Sequence, residues 1–354
     1  MLLLYDSNKP SNFAQGLLQK YHLQEKSNSE LNSIKRALII AGTNGQDPLA
    51  LVSAINRQQK AIEANENNLF FTAALNEGGG DQGYPLALTG IESAHRYTRG
   101  AGIKIGMIDT PIDILHRSLD NAKVQRFELV APGTPNNQQH GTEVAGVLIS
   151  KNPRIGIAPD ASLFAVSAFS LNPDNPKQRI SNAALVARAL DVCIEQGVDI
   201  LNLSFAGGQD RLVDEMIERA VQKGIVVVAS AGNGGPRAKP AYPAANPQVI
   251  AVTAVDRREN LFGLANRGAY IDLAAPGVDI LTTSPRGSFN VATGTSLATA
   301  HVTGVIALLM SMNKQRFRPD LLESTAIDLG QKGRDNDFGY GLVNVNRALQ
   351  ALQR

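Results

Sequence analysis

Beyond residue 100 the chain alternates two patterns, and that alternation narrows the fold to one class. Short apolar runs at residues 103–108, 162–169, 198–205, 224–230 and 248–255 are rich in valine, isoleucine, leucine and alanine, as strands buried on both faces are. Helical patterns at 142–149, 181–196, 209–223 and 296–312 lie between or after them. Strand–helix alternation of this kind predicts an α/β unit, a mostly parallel sheet with helices on both faces. The 354 residues, 43% of them hydrophobic, suffice for more than one core. A net charge of +2 gives no reason to expect a nucleic-acid partner. No stretch approaches the roughly 20 apolar residues of a membrane span, so no membrane partner is expected. The single cysteine, Cys193, forms no intrachain disulfide and sits in an apolar helical pattern, where an inert buried thiol is expected.

Three residues stand in settings that suit nucleophilic catalysis. Ser296 lies in G-T-S-L-A-T-A-H-V-T-G, at the tip of a small-residue turn before an apolar helical run. A hydroxyl there faces helix N–H groups that favour developing negative charge. Serine needs a base and an orienting acid to attack. His140, in H-G-T-E-V-A-G-V, opens a helical pattern and is the base candidate. Asp109 ends the apolar strand in G-I-K-I-G-M-I-D-T and is the acid candidate, at the strand end where ligands gather in parallel sheets. Asp113 and Asp120 are rival acids, ranked lower because they lie past the strand. His22, His95, His116 and His301 are read as structural or surface residues.

These motifs, in the order Asp, His, Ser, resemble the subtilisin family of serine peptidases, as does A-S-A-G-N-G-G at residues 229–235. The resemblance spans about residues 86–352 and ends on F-G-Y-G-L-V-N-V. It implies a subtilisin-like fold and a serine endopeptidase with the triad Asp109, His140 and Ser296. It implies Asn233 as the oxyanion-hole side chain, beside the Ser296 N–H. It implies a specificity pocket walled by Ser204, Phe205, Ala206 and Gly207 and by Ala229, Ser230, Ala231 and Gly232, with Ala241 near its base. No acidic residue occupies these positions, so medium apolar side chains are expected before the scissile bond; Arg237 and Lys239 lie nearby and would favour an acidic one.

Several residues depart from the family pattern. Ala300 stands where the family has proline, which leaves open a peptide ligase or cyclase using the same acyl-enzyme. Leu297 replaces an oxidisable methionine, so slower inactivation by peroxide is expected. Pro111 stiffens the turn after Asp109. Residues 149–159 are shorter than the family's calcium-binding loop; no cofactor is expected to be required, and a weak structural calcium site elsewhere stays open.

The chain divides near residue 80, at N-E-G-G-G-D-Q-G. Residues 1–75 read as a small unit of strands at 2–5, 34–40 and 60–64 with two helices. Ser11 is a candidate cap for the first, whose Phe13, Leu17 and Tyr21 share a face; Asp47 and Pro48 start the second. This order suggests a ferredoxin-like α+β fold. The unit is similar to the propeptides of subtilisin-type enzymes, in particular the fervidolysin-type prodomain. That implies an intramolecular chaperone and inhibitor whose tail, about residues 67–75, lies in the substrate cleft. A maturation site is expected within residues 73–84 of a linker at 76–85, before a peptidase domain at 86–354. The partners expected are therefore a peptide or protein substrate and the chain's own prodomain, in a monomer. An appended binding domain, making the whole a non-catalytic peptide-binding module, is the alternative. The opening M-L-L-L-Y is too short for a signal-peptide core. The expectation is an extracytoplasmic protein if a signal was removed and a cytoplasmic one otherwise.

Deletion of residues 1–80 separates the two readings of the N-terminal unit. An inactive or misfolded product is expected when the remainder is refolded and assayed, and full activity would refute a chaperone role.

Overall fold

The computed structural model describes residues 1–10, 12–72 and 83–353. Ser11 and most of the expected maturation segment lie outside them. The N-terminal unit begins with β1 (Leu2–Asp6), whose Leu2, Leu3, Leu4 and Tyr5 are all buried. A continuous apolar run is what a strand covered on both faces requires. α1 (Phe13–Lys20), β2 (Gln24–Leu31), β3 (Arg36–Gly42), α2 (Pro48–Gln58) and β4 (Ile62–Asn65) follow. The sheet order is β2-β3-β1-β4 and every pair is antiparallel, the ferredoxin-like arrangement. Asp47 caps α2 by accepting from the Leu49 N–H (3.1 Å), ahead of Pro48 at the first helical position.

One face of this sheet packs Leu3, Ile39 and Ala64 under α1 and α2. The opposite face turns Leu2, Leu4, Leu31 and Leu38 into the core of the larger domain. A short 3-10 turn, Asn32–Ile34, completes the docking. β5 (Leu69–Thr72) then leaves the unit altogether.

The larger domain opens with α3 (Tyr84–Thr89) and α4 (Ile91–Ala94), followed by β6 (Lys104–Asp109), β7 (Lys123–Glu128), α5 (Gln139–Ile149) and β8 (Ser162–Ser167). β9 (Ser170–Asn172) and β10 (Asn175–Asn182) form a hairpin before α6 (Ala183–Glu195). The chain continues through β11 (Ile200–Leu203), β12 (Phe205–Gly207), α7 (Arg211–Gln222), β13 (Val226–Ser230), β14 (Ile250–Val255) and β15 (Leu273–Pro276). A hairpin of β16 (Ile280–Ser284) and β17 (Ser288–Ala292) leads into α8 (Thr295–Asn313). Seven strands form a parallel sheet in the order β15-β14-β13-β11-β6-β8-β7. α5 and α8 contribute to the core on one face, and α6 and α7 to that on the other. This is the α/β architecture that the alternation implies.

α8 is long and apolar enough to cross a membrane by length and composition. It comes closer to a span than its interspersed Thr, Ser and His suggest in sequence. Every residue from Thr295 to Met310 is buried, so its apolar character is that of a central core helix.

The N-terminal unit is also held by directed polar contacts. The Asp191 carboxylate on α6 accepts from the backbone N–H groups of Asn32 (2.9 Å) and Ser33 (2.7 Å), and Arg219 on α7 donates to Ser33 O (2.8 Å). Glu63 pairs with Arg36 within its own unit and with Arg211 of α7, both at 2.9 Å. Removing the Asp191 acceptor orphans two N–H groups, a cost of about 1–3 kcal/mol. In a Ser296→Ala background, Asp191→Ala is expected to speed amide exchange in β1–β4 roughly tenfold or more, leaving the parallel sheet unchanged. Equal exchange in the two proteins would show that docking does not depend on this contact.

Candidate active site

The C-terminal ends of the parallel strands gather the residues singled out by sequence. Asp109 is the last residue of β6 and is 1% exposed; His140 lies in the first turn of α5 and is 4% exposed. His140 Nδ1 lies 2.7 Å from Asp109 Oδ1, which also accepts from the Thr110 N–H (2.6 Å). A carboxylate acceptor fixes the proton on Nδ1 and leaves Nε2 as the basic nitrogen. Nε2 is buried and has no hydrogen-bond partner, and neither has Asp109 Oδ2. Burial alone would lower the His140 pKa, but the Asp109 carboxylate, with Glu143 further off, holds it above the ordinary histidine value.

Glycine at position 141 allows this contact. A Cβ there would stand 2.3 Å from Thr110 O and 2.8 Å from Pro111 O, so any side chain would push α5 away from the end of β6. With glycine, the Gly141 N–H donates to Thr110 Oγ1 (2.9 Å), and the Asp113 N–H donates to Thr142 Oγ1 (2.9 Å). Asp113 also accepts from the Leu115 and Arg286 N–H groups, so it organises the loop after the strand. Asp120 is exposed at the end of a 3-10 turn.

Ser296 sits in the first turn of α8, buried. Its Oγ donates to Ser204 O (3.0 Å) and not to His140. Ser204 Oγ donates back to Ser296 O (3.1 Å) and accepts from Asn202 Nδ2 (2.8 Å), whose Oδ1 accepts from Thr303 Oγ1 (3.0 Å). This buried chain locks the serine turn onto β11, and the sequence reading did not include it. The one available signal was Asn202, a lone amide inside the apolar run I-L-N-L. Asn233, in the loop after β13, accepts at Oδ1 from the N–H (3.2 Å) and Oγ1 (2.9 Å) of Thr295. With the oxygen so anchored, the NH₂ group is the end left to donate.

The remaining histidines have structural partners. His116 Nε2 meets Ser288 O (2.7 Å), and His95 Nε2 meets Ile157 O (2.7 Å). His301 Nδ1 meets Leu297 O (2.8 Å), and burial pushes its pKa down to about 4. His22 occupies a turn with φ of 52°.

A cavity of about 860 Å³ adjoins Asn233. Ala206, Gly207, Gly232 and Ala241 line it, as do Lys177, Asn266 and Lys239. The other expected pocket residues are placed differently. Phe205 turns into the core, with its ring centroid 5.0 Å from Phe169 and 5.7 Å from Phe70. Ser204 is hydrogen-bonded to Ser296; Ala229, Ser230 and Ala231 are fully buried.

The chain's own β5 borders this cavity. β5 lies between β10 and β12 and pairs antiparallel with both, in the sheet order β12-β5-β10-β9. Phe71 is opposite Ile180 on one side and Ala206 on the other, and Thr72 is opposite Phe205. Phe70 is fully buried, while Phe71 and Thr72 line the cavity. Gly207 leaves room for the inserted strand, since a Cβ there would stand 2.5 Å from the Phe70 ring and 2.7 Å from Leu69 O.

Among the described residues, no group of three or more His, Cys, Asp or Glu is placed to hold a metal ion.

Residues 100–341 match the subtilase family of S8 peptidases. Subtilisin E of Bacillus subtilis (strain 168) is 33% identical over 286 residues, covering 76% of this chain and 72% of the relative. The thermophilic serine proteinase of Bacillus sp. (strain AK1) is 32% identical over 313 residues, covering 85% and 75%. The crystal structure of fervidolysin from Fervidobacterium pennivorans, described as a keratinolytic enzyme related to subtilisin, superposes with a TM-score of 0.79 at 25% identity. That match covers 99% of this chain and 60% of fervidolysin's. With an Asp–His pair at the strand ends and a serine opening the central helix, this chain belongs to the subtilase family of serine endopeptidases.

Proposed function

We propose that the chain is a self-inhibited endopeptidase zymogen, with Asp109, His140 and Ser296 as its triad and residues 1–75 as its inhibitor. The observation that carries this reading is β5, seated between β10 and β12 as an extended peptide would be and leading to the cavity beside Asn233. A substrate strand would make the same ladder, with specificity from alternate side chains. The chain's own tail therefore competes with substrate until it is cut, and the cut is expected within residues 73–84.

In the reaction, the Ser296 hydroxyl turns from Ser204 O to His140 Nε2, a buried ring nitrogen without a partner. His140 takes the proton as Oγ attacks the peptide carbonyl, and Asp109 stabilises the imidazolium. The Asn233 NH₂ group and the Ser296 N–H bind the oxyanion. His140 then protonates the leaving amine, and water hydrolyses the acyl-enzyme. A bulky apolar residue is expected at the substrate position that Phe70 now fills, against Phe205 and Phe169. The Lys177 and Lys239 rim favours acidic groups nearby over basic ones. Calcium, if bound, would be structural.

Incubation of the full-length protein beside Ser296→Ala, followed by intact mass and N-terminal sequencing, tests the zymogen reading. Cleavage within residues 73–84 in the wild type only is expected; an uncut wild type that labels with a fluorophosphonate would leave a serine peptidase without self-maturation. Asn233→Ala is expected to lower kcat roughly 100- to 1,000-fold with little change in KM, the loss found for the corresponding asparagine in this family. Because only neutral imidazole accepts the serine proton, and His140 is held above its ordinary value, kcat/KM should rise with pH through a point above about 6.5. An acid limb at or below that value would contradict the assignment of His140.

A further inference from the structure

Glu143 lies in α5 three residues beyond His140, is 1% exposed, and has no part in the steps above. A carboxylate this deeply buried needs strong partners. Gln139 Nε2 (2.5 Å) and Asn290 Nδ2 (2.9 Å) both donate to its Oε1. The Gln139 oxygen in turn accepts from Ser284 Oγ (3.2 Å). Beside them, Thr282 Oγ1 donates to Glu143 O (2.5 Å) and Thr283 Oγ1 to Thr142 O (2.7 Å). Thr282, Thr283 and Ser284 belong to β16 and Asn290 to β17, which runs through Thr293 and Gly294 into the turn that presents Ser296. One polar network thus joins the helix of the base to the hairpin that delivers the nucleophile.

We propose that Glu143 is a positioning residue of the catalytic site: its carboxylate clamps the first turns of α5 against β16 and β17 and sets a second negative charge beside His140. The inference rests on the triad reading. Both side-chain donors are neutral amides, and a glutamine at 143 would satisfy them through its own carbonyl. The hydrogen-bonded geometry therefore does not require the charge, and charge and geometry are separable by substitution. Residues three apart on a helix are neighbours on its surface, so a buried carboxylate there acts on the imidazole through little screening. The charged groups facing His140 are Asp109 from β6, Glu143 from its own helix and Arg179 from β10. Both carboxylates favour the imidazolium, whereas Arg179 and burial oppose it.

The test uses the full chain carrying Ser296→Ala, so that it stays intact, with histidine labelled at Cε1 for an NMR titration of His140. Glu143→Gln is expected to move that titration down by roughly 0.5–1 pH unit, and Glu143→Asp, which keeps the charge, to leave it nearly in place. In the active Ser296 protein the acid limb of kcat/KM should move down with it in Glu143→Gln while KM stays the same. An unmoved His140 titration in Glu143→Gln overturns the proposal. If that variant does not fold, a titration that falls in Glu143→Asp overturns it equally. The NMR signal reports the imidazole whether or not the wild type cleaves peptides, so absence of turnover would count against the triad reading alone.

Discussion

Backbone pairing of β5 with β10 and β12 is the interaction on which the rest of this arrangement turns. Within their four-stranded sheet, β12 and the β9–β10 hairpin are joined only through β5. Without it, both cleft walls present unpaired N–H and C=O groups, a template for any extended peptide. Gly207 keeps the gap wide enough for a strand, and the burial of Phe70 against Phe205 fixes which side chain faces inward. The docking of β1–β4 on α6 and α7 delivers that strand. Asn67 Oδ1 and Asn68 O accept from the first N–H groups of α6, and Asn68 Nδ2 donates to Asp210, the cap of α7, so the chain is secured immediately before β5.

The positions of Asp109, His140 and Ser296 follow from a different constraint, close packing at the ends of the parallel strands. Asp109 is held by its own strand, His140 by the approach that Gly141 permits, and Ser296 by mutual hydrogen bonds with Ser204. Each comes from a different element, yet all are buried, so their relative positions are set by the core and not by mobile loops. The Asp–His bond is already made, while the serine hydroxyl rests on Ser204 O.

Much of this was legible in the sequence because the underlying signals are local. Apolar runs mark β6, β8, β11, β13 and β14 directly, and the cap Asp47 marks where α2 begins. β2 was not legible. Q-E-K-S-N-S-E-L is almost wholly exposed and forms a strand only because β3 supplies a ladder; its lysine and glutamates suit a sheet edge. β10 was hidden for a similar reason: N-P-K-Q-R-I-S-N has no alternating apolar pattern, and its partner β5 lies more than a hundred residues away. Phe205 was expected to line the cavity, but strand alternation turns its ring the other way, against Phe70 and Phe169, and leaves the Ala206 side chain facing the open space. The link from Thr303 through Asn202 to Ser204 joins residues that only the closed fold brings together.

Phe71 and Thr72 line the cavity beside Asn233, so under the proposed self-inhibition the residues that judge a foreign peptide also judge the chain's own tail. On that proposal, selectivity and latency are one trait. Enlarging the slot at Ala206 or Ala241 to admit a new side chain would then also loosen the hold on β5, and tightening it would prolong the inhibited state. A variant chosen for a new cleavage preference would inherit a new activation schedule, unless residues 70–72 were redesigned alongside it.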